Sequence, residues 1–111
     1  MKIKEIIEKL QLKPLAGQEN LDVEITGGYT SDLLSDVIAN SKEGNLWITL
    51  QTHQNIIAVA KLKDLAGIII VNNREPDEET LKKANEENVP IFCTEGTAFE
   101  ISGKLYELIS D

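Results

Sequence analysis

Apolar residues fall at Ile3, Ile6, Ile7 and Leu10, with Lys2, Lys4, Glu5, Glu8 and Lys9 between them. That i, i+3, i+4, i+7 spacing predicts an amphipathic helix. Pro14 and Gly17 punctuate the following stretch, LKPLAGQEN, which reads as a break. LDVEI, residues 21–25, alternates apolar and polar positions and predicts a half-buried strand. Gly28 and Tyr29 then end a short strand or turn. Thr30, Ser31 or Asp32 caps a helix running to about Ala39, because a short oxygen-bearing side chain satisfies the first free N–H groups.

From Asn45 onward a regular alternation sets in. NLWITL is a strand, NIIAVAKLKDL a mostly apolar helix, and GIIIV a β-branched run of the kind covered on both faces. DEETLKKANEEN is a polar helix with only Leu81 and Ala84 as its stripe, capped by Asp77 after Pro76. VPIFCT is a strand, and AFEISGKLYELI a helix with Ala98, Ile101, Leu105 and Leu108 on one face. Strands alternating with helices over short connections predict an α/β fold: a mainly parallel sheet flanked by helices in three layers. No linker or repeat divides residues 1–111, so one domain is expected. NLWITL, IIAVA and GIIIV carry few charges, and a chain this short is expected to complete their burial through a partner.

Charge narrows the partners. The net charge of -8 and pI of about 4.6 are the reverse of what phosphate backbones or anionic membrane surfaces attract, so neither nucleic acid nor membrane is expected. A single cysteine, Cys93, allows neither an internal disulfide nor a cysteine metal site, and it reads as a small core residue. The charged start MKIKEIIEKL is not a signal sequence, and no apolar run approaches a membrane span, which makes the cytoplasm the expected location.

Ligands of open parallel sheets bind beyond the carboxyl ends of the strands. That rule collects Gly27, Gly28, Thr30, Ser31 and Asp32 after the Gly-Gly segment, and Thr52, His53 and Asn55 after NLWITL. Arg74 follows GIIIV, and Thr94 and Thr97 follow PIFC. The edge is rich in neutral hydrogen-bonding groups, with Arg74 and His53 as its cations, and would suit a small anionic ligand. The same residues also serve as caps and turn formers. Gly27 and Gly28 have two readings: a turn or close backbone packing, or a gap through which a phosphate reaches a helix N-terminus. His53 reads as a locally bonded residue at the start of a helix. No catalytic constellation, metal site or cofactor is expected. GTAFEISGKL is no phosphate loop, since six residues rather than four separate Gly96 from Gly103 and Leu105 follows the lysine.

TGGYTSDLLSDV, LWITLQTHQNIIAVAKLKDLAGIII and TAFEISGKLYEL, in this order and spacing, resemble the DRTGG domain family over nearly the whole chain. Thr26, Gly27 and Gly28 match the last three positions of the name-giving motif; Glu24 stands for its Asp and Ile25 for its Arg. The resemblance implies an α/β domain found beside CBS domains in some inorganic pyrophosphatases, and in phosphotransacetylases. It is similar to the N-terminal domain of HPr kinase, but without the separate phosphate-loop domain that carries the kinase chemistry. In such pyrophosphatases the domain helps form a dimer contact. The resemblance thus implies a non-catalytic regulatory or assembly module, with a homodimer or another protein as partner. The alternative is a sensor that binds an adenine nucleotide or another anionic metabolite at the strand ends.

Overall fold

The computed structural model describes residues 1–110. In chain order the elements are α1 (Ile3–Leu10), β1 (Lys13–Ala16), β2 (Gly27–Thr30), α2 (Leu34–Asn40) and β3 (Asn45–Thr49). They continue with α3 (Asn55–Leu62), β4 (Gly67–Ile70), α4 (Glu78–Glu87), β5 (Ile91–Cys93) and α5 (Ala98–Ile109). The sheet order is β1-β5-β4-β3-β2. All neighbours are parallel except β1, which runs antiparallel to β5.

The pleat sorts side chains to two cores. Leu46, Ile48, Ile69, Val71 and Phe92 point to one face, where Ile3 and Ile6 of α1 and Ile101 and Leu105 of α5 cover them. Trp47, Ile68, Ile70 and Ile91 point to the other, beneath Val37 of α2, Ile56, Ile57 and Ala60 of α3 and Ala84 of α4. The result is a three-layer α/β/α sandwich. β3 and β4 are buried along their whole length by these helices. Most of NLWITL, IIAVA and GIIIV is therefore already buried within one chain, with Leu50 half-buried and Ala58 exposed.

Two local expectations are corrected. The break around Pro14 contains a strand, β1. Pro14 is accepted there because an edge strand has one side with no ladder bond to lose. LDVEI is not a strand of the sheet. Its alternating Leu21, Val23 and Ile25 do pack toward the α1 and α5 core. Their backbones, however, bond to the start of the chain: the N–H groups of Ile3 and Lys4 donate to the carbonyls of Val23 and Leu21, and Ile25 N–H donates to the Met1 carbonyl. Only a single bridge, Lys2 with Glu24, results. Among the described residues no helix is long and apolar enough to cross a membrane.

Candidate functional site

The Gly-Gly pair lies inside β2, paired with Asn45 and Leu46 of β3, not in a turn. A Cβ on Gly28 would lie 2.8 Å from Cδ2 of Leu105, the α5 side chain seated over the strand. The glycine is there so that the helix can come down onto the sheet. Just before it, the Thr26 hydroxyl donates to the Glu43 carbonyl at 2.6 Å and accepts from Asn45 Nδ2 at 3.1 Å. Thr26 thereby fastens the entry of β2 to the turn that starts β3.

The residues after β2 are committed in the same way. Ser31 Oγ accepts the Leu33 N–H at 3.2 Å, and the Ser31 carbonyl accepts the Trp47 indole N–H at 2.8 Å. The Asp32 carboxylate accepts from Thr49 Oγ1 at 2.9 Å and from Leu50 N–H at 2.7 Å, and its carbonyl accepts from Gln51 Nε2. None of Thr30, Ser31 and Asp32 is the cap of α2. Leu33 holds that position with no side-chain bond, because Asp32 is drawn to the exit of β3 instead. Thr30 Oγ1 lies 2.6 Å from Ser102 Oγ of α5. Tyr29 donates to Asp36 at 2.8 Å, and Asn40 donates to the same carboxylate. Asn40, Ser31 and Tyr29 hold the Asp36 carboxyl below its usual range, and that carboxylate holds the Tyr29 phenol above its own.

Along the other strand ends the pattern repeats. The Thr52 carbonyl accepts from Asp77 N–H and Thr80 Oγ1, which joins the exit of β3 to the start of α4. Asp77 is the N-cap residue of α4, as its position predicts, but its carboxylate takes no capping bond. His53 Nδ1 accepts the Asn55 N–H at 3.2 Å, the local bonding foreseen for it. Asn72 and Asn73 adopt left-handed backbone and donate to the carbonyls of Gly96 and Thr94. Thr94 Oγ1 accepts the Gly96 N–H, and Thr97 caps α5 with Glu100 closing the box. Those bonds hold the Glu100 carboxyl below its ordinary range. Arg74 is exposed and, among the described residues, has no side-chain partner.

The eleven strand-end residues do not line one cavity. Gly28 and Thr30 border a groove of about 200 Å³ between β2 and α5, together with Ile48, Leu105 and Tyr106. Thr94 lines a separate depression of about 390 Å³ with Lys13, Asn73, Glu75 and Lys104. A third hollow, of about 370 Å³, opens at the opposite end of the sheet beside Glu24, Glu43 and Asp64, where strand-end reasoning does not look. Among the described residues no three His, Cys, Asp or Glu side chains are placed to hold a metal ion. Cys93 is half-buried at the end of β5, and burial pushes its thiol above the usual range.

The profile of the DRTGG domain family matches residues 5–108. The chain belongs to this family. No curated protein matches it. Among solved structures it is similar to the CBS and DRTGG domains of the regulatory region of Clostridium perfringens pyrophosphatase, complexed with the activator diadenosine tetraphosphate. The TM-score is 0.71 at 15% identity, covering 93% of this chain and 45% of that one. At that identity the likeness is one of fold, and this chain spans less than half of the pyrophosphatase region. Within the DRTGG motif, Thr26 and Gly28 carry the structural tasks described above. Ile25, in the place of the arginine, is a buried core side chain.

Proposed function

We propose that this chain is a non-catalytic regulatory and assembly module that works as a homodimer. One contrast carries the reading. At the strand ends the hydroxyl, carboxylate and backbone groups bond to one another, whereas one flank of α5 presents Phe99 and Tyr106 at 89% and 72% exposure. Exposed aromatic rings of this size are characteristic of recognition surfaces. Family membership and the regulatory setting of the pyrophosphatase neighbour support a regulatory role. Sedimentation velocity over a concentration series is the test: the dimer mass is expected, and a monomer at every concentration rejects the reading.

A second reading, a sensor of an adenine nucleotide or other anionic metabolite, has its own observation. The unpartnered Arg74 adjoins Asn73 and Glu75, which line the depression holding Lys13 and Lys104. Thermal shift with AMP, ADP, ATP and diadenosine polyphosphates decides it. A rise of several degrees that Arg74→Ala abolishes establishes the sensor; no rise rejects it.

A further inference from the structure

We infer that the depression at the carboxyl ends of β4 and β5 binds a phosphomonoester with neighbouring hydroxyls, the chemistry shared by nucleoside monophosphates and sugar phosphates. The inference rests on the sensor reading and gives it a ligand class.

Topology singles out this end of the sheet. α2, α3 and α4, which follow β2, β3 and β4, all cover one face. α5, which follows β5, covers the other face together with α1. β4 and β5 are parallel neighbours, so the chain leaves them toward opposite faces. No other pair of parallel neighbours in the sheet parts in this way. Open α/β sheets bind ligands in the crevice that such a parting creates. The depression of about 390 Å³ lies there, within the usual size range of ligand sites. Asn72 and Asn73, with φ of 61° and 56°, tie the two exit loops together through the carbonyls of Gly96 and Thr94. The rim is therefore held in place by backbone bonds.

Uncommitted side chains set this place apart from the other strand ends. Ser31, Asp32 and Thr49 bond within the chain. Lys13, Asn73, Arg74, Glu75, Glu95 and Lys104 make no side-chain hydrogen bond or ion pair among the described residues. All of them except Arg74 line the depression, and Arg74 stands between two that do. Three free cations thus share one rim on a chain of net charge -8.

The groups match the parts of such a ligand. Lys13 comes from β1 and Lys104 from α5, so two elements supply ammonium donors for a phosphate dianion. Glu75 and Glu95 can accept hydroxyls, as a strand-end carboxylate does for ribose in dinucleotide-binding folds. Leu10 and Ile101 add an apolar wall for a base or a sugar face. Charge limits the ligand to one phosphate. A triphosphate brings more negative charge than these cations offset, against two carboxylates and an acidic chain.

Cys93 provides the readout. It is the single cysteine, it lines the depression, and the charges of Lys13 and Glu75 act on its thiol. Alkylation of the full chain by iodoacetamide at mildly alkaline pH is timed with AMP, UMP, ribose 5-phosphate or glucose 6-phosphate. Adenosine, ATP and inorganic phosphate serve as comparisons, and melting temperature is read in parallel. A phosphomonoester at about ten times its dissociation constant is expected to slow alkylation about tenfold and to raise the melting temperature. Lys104→Gln, at an exposed position, is expected to raise the dissociation constant at least about tenfold, and Lys61→Gln on α3 to leave it unchanged. Protection by AMP or UMP alone names a nucleotide as the source; protection by the sugar phosphates as well names the shared sugar-phosphate element. A phosphomonoester that stabilises the chain without shielding Cys93, or that Lys104→Gln leaves equally tight, overturns this site and leaves the sensor reading standing. ATP or inorganic phosphate binding as tightly as any monoester overturns the ligand class. Neither stabilisation nor shielding by any compound overturns both the site and the sensor reading.

Discussion

The two edge strands of the sheet are built by opposite rules. β1 carries Lys13 and Pro14, and its register with β5 slips between Pro14 and Ala16. Charge, proline and an irregular ladder are the usual devices that keep an edge from recruiting another strand. β2 has the sequence Gly-Gly-Tyr-Thr, a regular register with β3 and none of those devices. The chain closes one edge of the sheet and leaves the other competent to pair. β1 is also the more tightly anchored. Gly17, just beyond it, has φ +68° and lies so close to α4 and β5 that a Cβ would overlap the Val89 carbonyl at 2.0 Å. Its N–H donates to Asn85.

The contrast is testable from its largest consequence downward. Gly17→Ala combines a left-handed backbone with a collision against main chain that has nowhere to move. Denaturant unfolding should show a loss of about 3 kcal/mol or more; a loss under about 1 kcal/mol would break the claim that this edge is locked. On the β2 side, Leu105→Ala should cost about 2–4 kcal/mol through the cavity it leaves over the strand. Gly28→Ala should cost only about 1 kcal/mol, because the atom it meets is the end of a flexible side chain. The two should be non-additive: with Leu105 truncated, Gly28→Ala should become neutral or slightly stabilising, as a double-mutant cycle would show. Asp32→Asn weakens the charge-assisted bonds that tie the exits of β2 and β3. It should lower stability by about 1 kcal/mol, with faster amide exchange at Leu50 as the local sign.

The smallest effect is acidic. Asp36 beside β2, Glu100 at the start of α5, and the paired Asp22 and Glu24 all hold carboxyl groups below their ordinary values. Their contribution is present above the unfolded-state values near 4 and is lost as pH falls through the lowered ones. A shallow decline in melting temperature below about pH 4 is expected, flattened by salt because these groups face solvent.

The alternation from Asn45 onward was legible because periodicity reports burial directly: β3, β4 and β5 are doubly covered, and α3, α4 and α5 each bury one face. The stretch between α1 and β2 misled for a physical reason. Alternation in LDVEI reports which side chains face the core, but not what the backbone pairs with, and here it pairs with the chain start. Pro14 reads as a breaker unless the strand is known to be at an edge, which only the topology reveals. At the strand ends, residue type named the polar groups correctly. It could not say that Asp32 reaches for Thr49 and Leu50 rather than for α2, because that depends on the separation of two strands. The exposed Tyr106 and Phe99 did carry a signal: they fall off the Ala98, Ile101, Leu105, Leu108 face of α5, on a flank without charge.

The single tryptophan makes the molecule its own instrument. Trp47 is fully buried in β3, and its indole N–H is held by the carbonyl of Ser31, the residue just past β2. Any event that peels β2 away removes that acceptor and wets the ring, shifting its emission to the red, while events confined to β1 leave it dark to the change. A spectrum recorded without any label therefore distinguishes which side of the sheet has opened.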